Sequence, residues 1–135
     1  YAKNMAKRTQ LLSQAAPISD SVGTLRRMTR TVEGMLKDAL DAYIQRDAAL
    51  ATDVIARDVD VDQMYNALFR ELLTFMMEDP RNITACLHLH FISKNTERMG
   101  DHVTSIAEQV VYLTTGTKPA EARPKADETS TKKGG

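Results

Sequence analysis

A chain of 135 residues is long enough for one domain with a single hydrophobic core and too short for two domains of ordinary size. Lysine plus arginine balance aspartate plus glutamate at 18 each, so the chain has no basic field to attract nucleic acid or an anionic membrane. No apolar run approaches the roughly 20 residues that a membrane-spanning helix needs. Composition therefore argues against a nucleic-acid-binding protein and against a direct membrane span.

Cysteine usage and residue preferences point to a helical protein of the cytoplasm. Cys86 has no second cysteine to pair with, and no basic segment leads into an apolar signal core, so we expect a cytoplasmic chain. Ala, Leu, Met, Glu, Lys and Arg are abundant, and only 5% of the residues are aromatic. This composition predicts an all-α fold.

The first fourteen residues, YAKNMAKRTQLLSQ, read as the end of a helix. They align without a gap with HVTSIAEQVVYLTT, residues 102–115, which puts Ala6 on Ala107 and Leu12 on Leu113. This weak internal repeat predicts that residues 1–14 are the last turns of the preceding copy of a repeated unit.

Apolar residues three and four positions apart predict three helices, over about residues 19–45, 48–78 and 82–115. The stretch LHLHFI at 87–92 alternates like a strand, but it has no hairpin partner, so we assign it to the third helix. We therefore predict an antiparallel three-helix bundle over residues 15–116. The apolar stripes comprise Leu25, Met28, Val32, Met35, Leu36, Ala39, Leu40 and Tyr43; Val54, Val61, Tyr65, Leu68, Leu72 and Phe75; and Ile92, Met99, Val103, Ile106, Val110 and Leu113.

Local signals mark where these helices end. Ser19 or Asp20 can cap the first helix, and Asp47 can cap the second. Pro80 cannot continue the second helix, and Gly116 suits the C-terminal cap of the third. Residues 117–135 contain two prolines and no large apolar residue, so we predict a flexible tail there.

Two acidic pairs have the spacing of one helical turn. Glu97 and Asp101 are four residues apart, and Asp58 and Asp62 repeat that spacing on the second predicted helix. Together they offer the oxygen ligands that Mg²⁺, Mn²⁺, Ca²⁺ or iron accept. The alternative is that they are only the solvated face of an amphipathic helix.

The position of the acids around each helix predicts where such a site would lie. At about 100° per residue, Glu97 and Asp101 lie opposite the stripe through Met99 and Ile106, whereas Asp58 and Asp62 lie on the flank of theirs. We therefore expect Glu97 and Asp101 to face solvent, with any metal site on the bundle surface.

Other reactive side chains give no catalytic pattern. Gly100, inside a helix, indicates close approach by a crossing helix or a ligand. His88 and His90 point to different sides of a helix and cannot chelate together. Cys86 has no histidine and acid arranged as a triad, and no phosphate-binding loop or zinc motif occurs, so we predict no catalytic residues and no enzyme.

Three segments together resemble the PhoU family of phosphate-signalling regulators, whose repeats carry E-R-[apolar]-G-D before a helical stretch. They are KNTERMGDHVTSIAEQVVYLTTG, RDVDVDQMYNALFRELLTFMMEDPRNI and YAKNMAKR. The resemblance implies a six-helix tandem repeat of two three-helix bundles, of which this chain holds the end of the first and all of the second.

The resemblance also implies a metal site. Acidic pairs of this family are associated with multinuclear metal clusters, often of iron, on the bundle surface. Here they map onto Asp58, Asp62, Glu97 and Asp101, with iron, manganese, zinc or magnesium as candidate ions. Arg98, His102 and Glu108 are the residues expected to support these ligands.

The function implied is negative regulation of phosphate uptake and of the phosphate-starvation response. The family links the ATPase subunit of a phosphate-specific ABC transporter to a membrane sensor histidine kinase by protein contacts, which implies a cytoplasmic adaptor at the inner membrane. We also expect a homo-oligomer, a dimer. The alternative is a metal-independent helical scaffold or oligomerisation module.

Overall fold

The computed structural model describes residues 1–12 and 19–119 and shows a helical protein. Its helices are α1 (Ala2–Leu12), α2 (Ser19–Gln45), α3 (Ala48–Glu78) and α4 (Ile83–Thr115), with a 3-10 turn at Pro80–Asn82. Helices α2, α3 and α4 pack on one another as a three-helix bundle, and α1 packs along α4. The all-α prediction is confirmed. The tail beyond residue 119 lies outside the described residues.

Capping residues explain where α3 and α4 end. The Leu50 amide donates to Oδ1 of Asp47 at 3.0 Å, which satisfies one of the open donors at the start of α3. Pro80 begins the 3-10 turn that follows α3. Gly116 has φ 74° and donates its amide to the Tyr112 carbonyl at 2.8 Å, which closes α4. The predicted roles of all three residues are confirmed.

The turn after α3 carries a perturbed carboxyl group. Asp79 accepts hydrogen bonds from the backbone and side chain of Arg81, at 2.9 Å and 3.1–3.2 Å. These contacts, chiefly the one with the guanidinium, lower the pKa of Asp79 below its usual value.

Helix α2 ends on a strained residue. Arg46 has φ 53°, and the next amide, of Asp47, donates to the Ala42 carbonyl at 2.9 Å, as in a Schellman cap. Because a residue with a Cβ is unfavourable there, Arg46→Gly is expected to raise the free energy of unfolding by about 0.5–1 kcal/mol. Urea denaturation measures the change. Gln45→Gly, inside the helix, is the control and should lower stability; a less stable Arg46→Gly variant would contradict the assignment.

The core consists of two apolar clusters along the bundle. Small residues such as Ala39 and Ala107, both fully buried, let the helices approach closely in the larger cluster. That cluster comprises Met28, Val32, Met35, Ala39, Ala42, Ala51, Val54, Val61, Tyr65, Val103, Ala107, Val110 and Val111. The second comprises Leu25, Leu68, Leu72, Ala85, Cys86, Leu89 and Ile92.

Helix α1 lies antiparallel to α4. The hydroxyl of Tyr1 lies 3.1 Å from Nε2 of His102, and seven residues later Nη1 of Arg8 lies 3.1 Å from Nδ1 of His88. The guanidinium of Arg8 also lies over the Phe91 ring, 4.3 Å from its centroid. In the predicted alignment of residues 1–14 with residues 102–115, Tyr1 falls on His102, so two positions that this alignment pairs contact each other.

Part of the predicted core stripe is exposed, which corrects the sequence interpretation. We name five residues of α2 and α4 the apolar strip: Leu36, Leu40, Tyr43, Ile106 and Leu113. Leu40 is 48% exposed and Leu113 66%. The strip lies along the seam between α2 and α4, where Leu36 and Ile106 line one groove and Tyr43 and Leu113 line another. None of the helices in residues 1–12 and 19–119 is apolar enough over sufficient length to cross a bilayer.

Candidate functional site

Side-chain contacts fix the register between α3 and α4. A Cβ built on Gly100 of α4 would lie 3.4 Å from Oδ1 of Asp58 on α3. Two turns further along α3, the Tyr65 ring lies under the ammonium of Lys94, which is 4.9 Å from the ring centroid. The helices are therefore antiparallel, and Asp62 is level with the turn of α4 between these two contacts.

That turn carries Glu97, so the two acidic pairs lie at the same level along the bundle. We name these four residues the carboxylate layer: Asp58, Asp62, Glu97 and Asp101. The sequence spacing identified all four, and the structure brings the two helices that carry them together.

The burial of the layer contradicts the predicted surface location. Asp58 and Asp62 are 1% exposed, Glu97 is 2% exposed, and Asp101 is half-buried. The prediction was wrong because α4 packs against both α2 and α3, so its buried face is broad. Met99 and Ile106 form only one edge of that face, and Glu97 lies at the other edge.

Gly100 lies near the centre of that face. A Cβ there would lie 3.5 Å from Cγ2 of Val32 on α2 and 3.5 Å from Cγ1 of Val61 on α3, besides its contact with Asp58. The close approach predicted from this glycine is confirmed, and crossing helices account for it.

Sequence reasoning missed Lys94, which is paired with Glu97 of the layer. Its Nζ atom lies 3.2 Å from Oε2 of Glu97, and the two side chains are 23% and 2% exposed. The ring of Tyr65, itself 1% exposed, supports the ammonium through a cation–π contact. The spacing of three residues between Lys94 and Glu97 was the available signal, because such pairs meet on a helix.

The layer has the chemistry of a metal site but is not arranged as one. Carboxylate oxygens are the ligands that Mg²⁺, Mn²⁺ and iron accept. In the described part of the chain, however, no three His, Cys, Asp or Glu side chains form a group that could hold an ion. Glu97 is moreover paired with Lys94. The layer in this arrangement does not fit a bound metal.

The three residues expected to support metal ligands lie elsewhere on α4. Arg98 and His102 are exposed, and Glu108 is half-buried. His102 contacts Tyr1 of α1, with ring centroids 5.3 Å apart. Neither Arg98 nor His102 therefore lies in the buried interface that contains the layer.

The other two histidines and the cysteine are packed against neighbouring side chains. His88 and His90 are half-buried; His88 contacts Arg8, and His90 lies 5.1 Å from the Phe69 ring. Cys86 is fully buried, and burial raises the pKa of its thiol. A thiol that stays protonated is a poor nucleophile.

An apolar groove of about 440 Å³ lies beside the layer, between α2, α4 and the start of α1. Leu36 and Ile106, at one end of the apolar strip, contribute to it. The lining residues are Tyr1, Thr29, Val32, Glu33, Leu36, Thr96, Met99, His102, Val103 and Ile106.

Comparison with known proteins gives consistent matches. Residues 25–110 match the PhoU domain family. A "phosphate-specific transport system accessory protein PhoU homolog" of Caulobacter vibrioides is 51% identical over 126 residues, 93% of this chain and 55% of that protein. The protein of that name in Rhizobium meliloti is 46% identical over 129 residues, 96% of this chain and 54% of its own.

A solved structure agrees with the sequence matches. The crystal structure of PhoU from Pseudomonas aeruginosa superposes with a TM-score of 0.67 and 44% sequence identity. The match covers 68% of this chain and 44% of that one. The present chain thus spans about half the length of the curated relatives that it matches.

Proposed function

Because the chain belongs to the PhoU family, we propose that it is part of a regulator that lowers phosphate uptake and the phosphate-starvation response when phosphate is plentiful. The relatives in C. vibrioides and R. meliloti bear the name of accessory proteins of phosphate-specific transport. Family membership over most of the bundle is the observation that supports this function. We further propose that the protein is one half of a six-helix tandem repeat.

Deletion of the gene tests the regulatory role. We expect a reporter under a phosphate-starvation promoter to become active in phosphate-rich medium, because the repressing component is gone. Expression of the full-length protein from a plasmid should silence the reporter again. A reporter that stays silent in the deletion strain would contradict the proposed repression.

We propose that the protein acts as an adaptor in the cytoplasm, at the inner membrane, on the ATPase subunit of a phosphate ABC transporter and on a sensor histidine kinase. The test is calorimetric titration of the full-length protein with the isolated ATPase subunit and with the soluble part of the kinase. Dissociation constants of about 1 μM or tighter are expected for stable contacts of standard size. Absence of binding to both would exclude the adaptor mechanism.

We also propose that the carboxylate layer binds a divalent ion or a multinuclear cluster, of iron, manganese, zinc or magnesium. The donor set and the matching level of the two acidic pairs along α3 and α4 support this, although the side chains of the buried layer must rearrange to admit an ion. Asp58→Asn and Glu97→Gln are expected to abolish metal retention, because each removes a charged ligand at nearly constant volume. Elemental analysis of the purified full-length protein measures the metal content.

Asp60→Asn is the matched control for these variants. Asp60 is exposed and lies on α3 between the two acids of the layer, so its replacement should leave metal retention unchanged. A wild-type protein that contains no more metal than Asp58→Asn would contradict metal binding.

The second candidate function is a metal-independent scaffold or oligomerisation module. Two observations favour it: Glu97 of the layer is already paired with the ammonium of Lys94, and the apolar strip is exposed. In this function the strip is the contact between two copies of the chain, since a two-fold axis can pair the same surface with itself. Divalent ions would then leave the melting temperature unchanged, whereas an ion that binds only the folded state raises it.

Sedimentation equilibrium tests the predicted dimer. Leu113→Glu places a charge in the strip and is expected to dissociate it, because a buried unpaired charge is strongly unfavourable. Leu73→Glu on α3 is the control, since Leu73 is 40% exposed and lies outside the strip. Equal association of both variants with the wild type would show that the strip is not the contact.

A further inference from the structure

Two grooves follow one another along the seam between α2 and α4. The first, of about 440 Å³, is lined in part by Leu36 and Ile106, and the second, of about 370 Å³, by Tyr43 and Leu113. Leu40, which is 48% exposed, lies between them on α2. A surface with this many exposed large apolar side chains indicates an interaction site.

The two grooves carry opposite charges. The carboxylate of Glu33 lines the first groove and the guanidinium of Arg46 lines the second, and both side chains are exposed. Neither forms a salt bridge or a side-chain hydrogen bond with another residue that the structure describes. The hydroxyl groups of Thr29 and Thr114, in contrast, each donate to a carbonyl of the preceding turn. The groups that remain for a partner are therefore apolar surface with an acid at one end and a base at the other.

The order of these side chains along α2 is symmetric about Leu40. Leu36 and Tyr43 lie four residues before it and three after it, and Glu33 and Arg46 lie seven before it and six after it. At 1.5 Å per residue, the two charged residues are about 20 Å apart. A two-fold axis beside Leu40 therefore brings the acidic end of one surface onto the basic end of an identical surface.

We propose that a second copy of this chain covers the seam with its α2 antiparallel to the first, so that Glu33 of each copy pairs with Arg46 of the other. This inference rests on the dimer of the second candidate function and specifies its alignment. Lys37 and Asp41 lie between the two ends, and their charged groups, 3.7 Å apart, already neutralise each other. The unpaired charges at the ends select the antiparallel alignment, because a parallel one would bring like charges together.

Charge reversal tests the pairing by sedimentation equilibrium of the full-length protein. Glu33→Arg and Arg46→Glu, made separately, each turn two attractive pairs into repulsive ones, because the axis repeats every contact. Each is expected to raise the dissociation constant of the dimer by at least about tenfold. The double variant, with Glu33→Arg and Arg46→Glu together, recreates both ion pairs and should return the dissociation constant to that of the wild type.

Two control variants reverse a charge outside the grooves. Arg26→Glu on α2 and Asp60→Arg on α3 change exposed side chains that line neither groove, so both should associate like the wild type. Circular dichroism of every variant checks that the helical fold is retained. Since all four substituted side chains are exposed, we expect no loss of folding.

The possible outcomes separate this alignment from the dimer on which it rests. Two weakened single variants with a restored double variant support the pairing. A dimer that Leu113→Glu dissociates but that neither charge reversal weakens would overturn the pairing and leave the strip as the contact. A double variant as weak as the single ones would also overturn it. A wild type that is monomeric at every concentration would overturn both, and would show that another part of the full-length protein or another partner covers the seam.

Discussion

Tyr65→Ala is expected to lower the free energy of unfolding by about 3–5 kcal/mol, the usual cost of removing a large aromatic side chain from a core. Tyr65 is 1% exposed and belongs to the larger apolar cluster. Its ring also supports the Lys94 ammonium and lies 6.0 Å from the His90 ring. Since domains of this size are stable by about 5–15 kcal/mol, such a loss is a large part of the total. Urea denaturation followed by circular dichroism measures it.

Two controls separate the stability contributed by the buried ring from that of its hydroxyl group and from the effect of removing an exposed tyrosine. Tyr65→Phe keeps the ring and its face toward Lys94, so the loss should be about 1 kcal/mol or less. Tyr43→Ala, at a residue 60% exposed, should change stability by no more than about 0.5 kcal/mol. A Tyr65→Ala variant as stable as Tyr43→Ala would contradict the packing described for this ring.

Gly100 is the second position with a large expected effect, and its sign depends on the size of the substituent. Gly100→Leu should lower the free energy of unfolding by about 1–3 kcal/mol, because atoms beyond Cβ would press on Asp58, Val32 and Val61. Gly100→Ala should be neutral or stabilising by up to about 1 kcal/mol, since its Cβ would make contacts of 3.4–3.5 Å and alanine favours the helix. Thermal and urea denaturation measure both.

Gly34 provides the matched control on α2. A Cβ at Gly34 would meet nothing within 4 Å, so Gly34→Leu should not lower stability. If Gly100→Leu were as stable as Gly34→Leu, the close approach of α2 and α3 at Gly100 would be excluded.

The helix ends were predictable because their causes are local. The side chain of Asp47, the missing amide of Pro80 and the left-handed backbone at Gly116 each act within a few residues. The predicted spans of about 48–78 and 82–115 accordingly lie close to the observed Ala48–Glu78 and Ile83–Thr115.

The buried face of α4 was not predictable from large apolar residues, because small and hydroxylated residues form its centre. Thr96 and Thr104 are 1% and 0% exposed, and their hydroxyls donate to the carbonyls of Ile92 and Gly100 in the preceding turn. A threonine satisfied in this way can be buried at little cost. Such a face has low hydrophobicity. A prediction from the angular positions of large apolar residues therefore gave too much weight to Ile106.

The acids of the candidate site were predictable from spacing, but their environment was not. The four-residue step identified Asp58 with Asp62 and Glu97 with Asp101, whereas their burial depends on which helices pack against α4. Lys94 was missed because a single lysine near an acidic residue is common on any helix surface. Only the tertiary structure, in which the Tyr65 ring of α3 lies against the Lys94 ammonium, distinguishes this lysine from others on the helix surface.

The absence of a side chain at Gly100 also limits how α3 and α4 can align as the bundle forms. If α4 slid by one helical turn, about 5.4 Å, many apolar contacts between leucine, valine and alanine would simply be replaced by similar ones. Asp58, however, would then meet the side chain of Thr96 or Thr104 where the glycine now leaves room. The Lys94 ammonium would also lose the ring of Tyr65. One glycine and its charged neighbours thus distinguish the native alignment from shifted ones that hydrophobic packing alone would tolerate.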